Sequence, residues 1–173
     1  MSSLREQKLE DIEYELQLLF GADKIVSQIE ICDNAQTEDN KKFGNIINYF
    51  KDSIYLHSRN LLNLTTQQGQ TEVGKVPANI HSAIYKKLKP AIERYVTHLK
   101  QARDQSGQSN TVGGKHLNEY THLLVCETRR CFMEWIDTLQ GDNKTKLQKI
   151  LSNAENNALN DTSKLMKLLE INS

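Results

Sequence analysis

The sequence feature that most constrains the fold is a long apolar stripe in the first half of the chain. Its members alternate between spacings of four and three residues, which places them on one face of an α-helix. The stripe consists of Phe43, Ile47, Phe50, Ile54, His57, Leu61 and Leu64. A helix of this kind buries its stripe against neighbours, and no other stretch shows sustained strand alternation. The sequence therefore predicts an all-α fold, a helical bundle of about five to six helices.

Helical spacing also dominates the segment before this stripe. The pattern predicts a first helix over residues 3–20, with Gly21 as its stop, and a second short helix over residues 23–31. The polar residues 33–40 are typical of a linker. The clearest helix of the chain is then expected to begin at Lys41.

Two prolines divide the segment after the stripe. Residues 65–75 are rich in Gln, Thr and Gly and predict a mobile loop, after which Pro77 is expected to restart a helix. Pro90 lacks a backbone N–H and clashes with the preceding helical turn. The chain is therefore expected to break or kink near Leu88 and to resume as a helix from Pro90.

The last third of the chain predicts two more helices. Residues 105–114 have the Ser, Asn and Gly content of a flexible loop, and the helix that follows them is expected to end at Gly141. A final helix is predicted over residues 143–169. Its polar middle, residues 155–163, favours fraying or a break.

Charge is segregated along the chain although it cancels overall. The 22 basic and 22 acidic residues give a formal net charge of zero, which argues against a generic binder of nucleic acids or membranes. Residues 1–40 carry 3 basic and 10 acidic side chains, whereas residues 41–104 carry 11 basic and 4 acidic ones. The acidic segment is either a solvated face beside a basic neighbour or a shield over a basic surface meant for an anionic partner.

The organisation expected from these patterns is one all-α domain over residues 1–173. Within it we expect an acidic helical N-terminal segment over residues 1–40, a core bundle over residues 41–141 and a C-terminal helix over residues 142–173. The longest apolar runs are far shorter than the roughly 20 residues of a membrane span, and the first residues lack the apolar block of a signal peptide. A cytoplasmic location is the expectation.

The three cysteines give no sign of a disulfide framework. Cys32, Cys126 and Cys131 are an odd number without a CxxC pair, so reduced thiols are expected rather than disulfides or a zinc site. Cys126 and Cys131 are expected to be small buried fillers. No metal and no other cofactor is expected.

The polar residues that could carry chemistry lie on the two central helices. His57 and Asn60 are three residues apart and project from the same side of a helix, whereas Arg59 is rotated about 200° from His57. His98, with Arg103 nearby, repeats the arrangement on the next long helix. One interpretation is a hydrogen-bonded core histidine and a surface arginine; the other is a polar cluster that opens on a groove.

The remaining histidines and the large aromatic residues are expected to have no role in a functional site. His81, His116 and His122 lie at helix starts or on polar faces and are expected to be exposed. Phe132 and Trp135 are expected in the core rather than as a platform on which nucleotide bases stack.

Two strings of this sequence carry a resemblance to a known family. NYFKDSIYLHSRNLLNL and the later IERYVTHLKQAR resemble the marks of a family of small bacterial helical proteins, an HARN-like string followed at a distance by a string like INKxVAHLTxxR. Ser58 stands where the family usually has alanine. The resemblance covers about residues 43–139. The matching positions are His57, Arg59 and Asn60 in the first string and His98, Leu99 and Arg103 in the second.

This family is similar to the HEPN helical bundles, some of which are RNA-cutting toxins or antiphage factors. The similarity implies RNA cleavage without a metal, in which an arginine holds the phosphate and a histidine moves a proton, normally across a dimer. The nuclease motif of that superfamily places a histidine shortly after an arginine. At the positions after Arg59 where that histidine would stand, this sequence has Asn63, Leu64 and Thr65. Arg94 and His98 are too close together to form the motif.

The function expected from the sequence is that of a small bacterial interaction or regulatory protein with no evident catalytic motif. The alternatives are a HEPN-like RNA-binding or RNA-cleaving protein and a small helical subunit of a ribonucleoprotein complex. A protein partner or a homodimer is favoured over RNA. The dimer is expected because the final helix has an apolar stripe that needs a cover, unless that helix folds back on its own chain.

Overall fold

The computed structural model describes residues 8–35, 44–97 and 111–168. Its helices are α1 Leu9–Ala35, α2 Gly44–Thr66, α3 Ala83–Thr97, α4 Thr121–Thr138 and α5 Gly141–Leu168, with a 3₁₀ helix Leu117–Tyr120 before α4. Two antiparallel hairpins pair β1 Gln70–Thr71 with β2 Gly74–Lys75 and β3 Thr111–Val112 with β4 Lys115–His116. The predicted all-α bundle of about five to six helices is confirmed, with five α-helices in the described residues.

Helix α2 is the central element of the bundle and packs against α1, α3 and α4. Its predicted stripe is buried from Ile54 to Leu64. A second line on the same helix is buried as well, since Tyr55, Ser58 and Leu62 are fully inaccessible to solvent. Burial on two sides is what its central position requires.

Helix α1 is one continuous helix, so the prediction of two short helices separated at Gly21 is wrong. Gly21 faces α5, where a Cβ built on it would lie 4.0 Å from the Cβ of Ala158. Phe20 and Ala22 on either side are buried. Tertiary packing along this stretch outweighs the weak helix propensity of one glycine.

Helix α3 begins at Ala83, so the expectation that Pro77 restarts a helix is wrong. The Ser82 hydroxyl caps the new helix by accepting a hydrogen bond from the backbone N–H of Tyr85 at 2.9 Å. The preceding loop, predicted without internal structure, contains the β1–β2 hairpin and buries Val76 and Ile80.

Helix α3 also continues through Pro90, so the predicted break near Leu88 is wrong. Proline removes one backbone hydrogen bond, and Pro90 itself is exposed. Leu88 and Ile92, two residues to either side, are buried in the core. Their burial holds the helix together across the missing bond.

Helix α5 is unbroken through its polar middle, so the expected break is wrong. It lies antiparallel to α1, since Gln17 bonds to Asp161 and Gly21 faces Ala158. The side chains that it buries are Leu147, Ile150, Leu151, Ala154, Ala158, Thr162 and Met166. From Leu147 to Ala158 the apolar stripe is thus covered by the same chain, as in the fold-back alternative, whereas Leu168 at its end is 80% exposed.

One hydrophobic cluster joins residues of all five helices. Phe132 and Trp135 lie within it as predicted, with their rings edge to face and 5.3 Å between centroids. Helix α1 is part of the same cluster through Ile12, Leu16 and Leu19. None of the described helices is both long and apolar enough to cross a membrane.

Candidate functional site

The structure brings two of the predicted site residues, His57 and Asn60, together around a carboxylate that sequence analysis missed. His57 Nδ1 lies 2.7 Å from Oε2 of Glu15 on α1, and Asn60 Nδ2 lies 3.1 and 3.2 Å from the two carboxylate oxygens. A carboxylate can only accept, so Nδ1 of His57 carries the hydrogen. His57 is 8% exposed. Its ring is therefore held between helices rather than presented to solvent.

Arg59 belongs to a different surface of α2, as its rotation predicts, but it touches the same cluster. Its guanidinium donates to the Asn60 side-chain oxygen at 3.2 Å. The Tyr85 hydroxyl donates its one hydrogen to the Asn63 side-chain oxygen at 2.8 Å, and the backbone carbonyl of Arg59 lies 3.4 Å from the same hydroxyl. Burial raises the pKa of Tyr85, which keeps this hydroxyl protonated as a donor. These bonds fasten α2 to α3.

The other two predicted site residues, His98 and Arg103, lie outside the described residues. In the described part of the cluster His57 is buried and hydrogen-bonded, as the core-histidine interpretation expects, whereas Arg59 and Asn60 are half-buried. No group of three or more His, Cys, Asp and Glu side chains in the described ranges is arranged to hold a metal ion.

A second polar cluster fastens α4 to the start of α3. The Arg130 guanidinium donates to both carboxylate oxygens of Glu127, at 2.8 and 2.7 Å, and to the backbone carbonyl of His81 at 2.7 Å. Hydrogen bonds from Arg130 and Ser82 hold the pKa of Glu127 below its usual range. Both charges are satisfied within the chain, so this pair serves the fold rather than a ligand.

The exposed face of α3 carries a different kind of charge. The helix contains four basic residues and one acidic residue, Glu93, which lies 3.6 Å from Lys89. Lys86, Lys87 and Arg94 fall within about 100° of one another on the helix and are exposed. In the part of the chain that the structure describes, the side chains of these three residues form no hydrogen bond or ion pair. We call them the α3 basic face.

A surface pocket of about 430 Å³ lies beside the α3 basic face, between the end of α2 and the start of α3. Its charged and ionisable lining side chains are His81, Tyr85, Lys86 and Lys89, and its remaining lining residues are Thr66, Gln67, Ser82 and Ala83. Among the described residues no carboxylate lines it. The helix N-terminus adds partial positive charge at the same place. We call this the basic pocket.

The acidic N-terminal segment does not cover this surface in the described residues. Glu30 of α1 pairs with Lys51 of α2 at 2.7 Å, and Glu15 bonds to His57 and Asn60, also of α2. No ion pair joins α1 to α3 in the described ranges. The paired carboxylates of α1 thus face α2 and α4, and among the described residues none of them pairs with the α3 basic face.

The histidines and cysteines outside the central helices fall partly as predicted. His81, His116 and His122 are exposed, as expected, and Cys131 is buried. The expectation that Cys126 is a buried filler is wrong, because it is exposed. It lies five residues from Cys131 on α4, and that spacing turns the two side chains about 140° apart.

Comparison of the chain with protein-family models, with curated proteins and with solved structures finds no match in any of the three. The candidate site is therefore defined by its geometry and charge alone.

Proposed function

We propose that this chain is a small interaction protein of the bacterial cytoplasm that binds an acidic segment of a partner protein. The binding surface is the α3 basic face together with the basic pocket. The observation that carries the proposal is a set of exposed cations, Lys86, Lys87 and Arg94, whose side chains form no ion pair among the described residues.

Charge complementarity explains how such a surface would act. Unpaired cations on one face attract an anionic partner over several ångströms and speed its encounter. The pocket, with Lys86 and Lys89 at its wall, then offers a concave place for one carboxylate side chain. Other basic residues, such as Arg130 and Lys51, attract an anionic partner less, because each already forms an ion pair with a glutamate of this chain.

An acidic peptide fits this surface better than RNA does. Tight RNA binding requires that many phosphates be neutralised, and the α3 basic face has only three cations. RNA cleavage of the HEPN type needs a histidine and an arginine free to act on a phosphate. His57 and Arg59 are instead held by Glu15 and Asn60. RNA binding remains the rival outcome of the experiment.

The test is a charge reversal on α3. Fluorescence anisotropy with a labelled polyglutamate peptide would measure binding by the intact chain and by a K86E/K87E variant. The matched control is K146E/K149E, which makes the same charge change at two exposed lysines of α5. We expect K86E/K87E to weaken binding by about tenfold or more and the control to weaken it much less.

Three results would contradict the proposal. These are equal losses in the two variants, no binding of the peptide at low salt, and tighter binding of a labelled RNA of equal charge that K86E/K87E abolishes. Deletion of residues 1–40 is unsuitable for this test, because it removes α1, whose Leu16 and Leu19 are fully buried in the core.

A further inference from the structure

Three side chains from two helices, α1 and α4, form a continuous chain of contacts. His122 and Cys126 are four residues apart on α4, and Cys126 Sγ lies 3.6 Å from His122 Nε2. The other ring nitrogen of His122, Nδ1, lies 3.1 Å from Oδ1 of Asp23 on α1. A thiol, an imidazole and a carboxylate thus stand in the order that activated cysteine nucleophiles require.

The carboxylate decides which imidazole nitrogen faces the thiol as an acceptor. Asp23 can only accept a hydrogen bond, so Nδ1 of a neutral His122 carries the hydrogen and Nε2 keeps its lone pair. That lone pair points at the Cys126 thiol. The Asp23 side chain is 17% exposed, whereas that of His122 is 73% exposed. The fixed carboxylate therefore restrains an otherwise solvent-facing ring.

The three residues line a pocket of about 370 Å³ between α1, α4 and α5. Its apolar wall consists of Phe20, Val125 and Leu159, of which Leu159 is 52% exposed. Lys24 and the ion pair of Arg129 with Glu155, at 2.8 Å, lie at the same pocket. An exposed leucine beside a reactive thiol gives an apolar group a place to lie once it is attached to the sulfur.

We propose that Cys126 is a nucleophilic thiol that accepts an apolar acyl group from a thioester. The Cys126 sulfur attacks the thioester carbonyl, and His122 Nε2 takes the thiol proton. The bond between the carbonyl carbon and the donor sulfur then breaks, and His122 returns the proton to the leaving thiolate. The products are S-acyl Cys126 and a free thiol, and no oxidant or reductant is needed. Asp23 is a positioning residue that holds the ring and stabilises its cation.

The thiol of Cys131 provides a comparison for the effect of His122 and Asp23 on Cys126. Cys131, on the same helix, is buried, and its burial raises the pKa of its thiol to about 11. No imidazole contacts it among the described residues. Cys131 is therefore an internal control for Cys126 in the same molecule.

The test measures acyl transfer to each cysteine separately. Folded protein is incubated with a butyryl thioester of N-acetylcysteamine, quenched and digested with trypsin. Cleavage after Arg129 and Arg130 places Cys126 and Cys131 in different peptides, and Cys32 falls in a third. We expect Cys126 to react about tenfold or more faster in the folded chain than in urea, and Cys131 to react more slowly in the folded chain.

Variants then separate chemistry from folding. His122→Gln is expected to lower the Cys126 rate to its value in urea. Asp23→Asn is expected to lower it severalfold, and Asp23→Glu to restore part of it, with melting temperatures showing that each variant is folded. Leu159→Ala should remove a preference for butyryl over acetyl donors, whereas Leu123→Ala, an exposed leucine outside the pocket, should keep it.

The proposal is overturned if Cys126 in the folded chain reacts no faster than in urea, or if His122→Gln leaves its rate at the wild-type value. Reaction with a disulfide reagent but not with the thioester would also overturn it. The proposal is independent of the α3 basic face, so either one can fail while the other stands.

Discussion

Removal of the Glu15 carboxylate is expected to destabilise the bundle by about 2 to 3 kcal/mol. This carboxylate accepts a hydrogen bond from His57 at 2.7 Å and a shared one from Asn60 at 3.1 and 3.2 Å. In Glu15→Ala the His57 N–H loses its acceptor while the ring stays buried. A buried donor without a partner costs about 1 to 3 kcal/mol, and the lost bonds to Asn60 add to that cost.

Replacement of His57 itself is expected to cost about 1 to 3 kcal/mol, through the lost hydrogen bond and the space left by the ring. In the double variant Glu15→Ala/His57→Ala neither partner is left unsatisfied. The cost of the double variant should therefore fall short of the sum of the two single costs by about 1 to 2 kcal/mol.

The assay is thermal and urea unfolding followed by circular dichroism, on the wild type, the two single variants and the double variant. For a chain of this size each kcal/mol corresponds to a shift of about 2 to 4 °C in Tm. Glu13→Ala is the matched control, because Glu13 lies on the same helix and its side chain forms no hydrogen bond or ion pair within the described ranges. It should shift the Tm by much less.

A His57→Ala variant that melts at the wild-type temperature would refute the structural role of the cluster. Strict additivity of the two single variants would do the same for the Glu15–His57 bond. Either result would favour the interpretation in which His57 and Asn60 serve a ligand.

Three further predictions concern the core and its polar fastenings. Gly21→Ala should raise the free energy of unfolding by about 0.5 to 1 kcal/mol, because the added methyl group meets Ala158 at 4.0 Å, an ordinary contact; a lower Tm would contradict this. Ser58→Ala should be neutral or stabilising by up to about 1 kcal/mol, because the buried Ser58 hydroxyl has no hydrogen-bond partner, and urea unfolding would measure it. The Arg130 hydrogen bonds hold the pKa of Glu127 low, so the stability that they give is complete above the ordinary carboxyl pKa and is lost as the pH falls through the lowered one. Glu127→Gln should therefore be destabilised at neutral pH, and its difference from the wild type should shrink in acid.

The helices that could be predicted are those whose burial leaves a periodic trace in the local sequence. The stripe of α2 is such a trace, because a helix packed on several sides needs apolar residues every three or four positions. The elements that could not be predicted depend on partners distant in sequence. Gly21 and Pro90 are local helix-breaking signals, yet both helices continue because their flanking residues are buried. Local rules cannot weigh such burial before the fold is known.

The polar cluster around His57 shows the same division. The shared orientation of His57 and Asn60 follows from their spacing of three residues on one helix. Their partner Glu15 lies 42 residues before His57 on another helix, and nothing in its local sequence distinguishes it from the other carboxylates of α1. It could thus be predicted that His57 and Asn60 share one side of α2, but not that Glu15 is their hydrogen-bond acceptor.

Only one of the two contacts among Asp23, His122 and Cys126 could be inferred from the sequence. His122 and Cys126 have the spacing of neighbours on a helix, but such a pair arises often without any function. Asp23 is 99 residues away from His122, and only the packing of α1 against α4 and α5 brings it to the ring. The same packing sets this pocket apart from the α3 basic face, which depends on α2 and α3. A K86E/K87E variant that loses peptide binding should therefore still acylate Cys126 at the wild-type rate, and a loss of both would mean that the variant disturbs the fold rather than a surface.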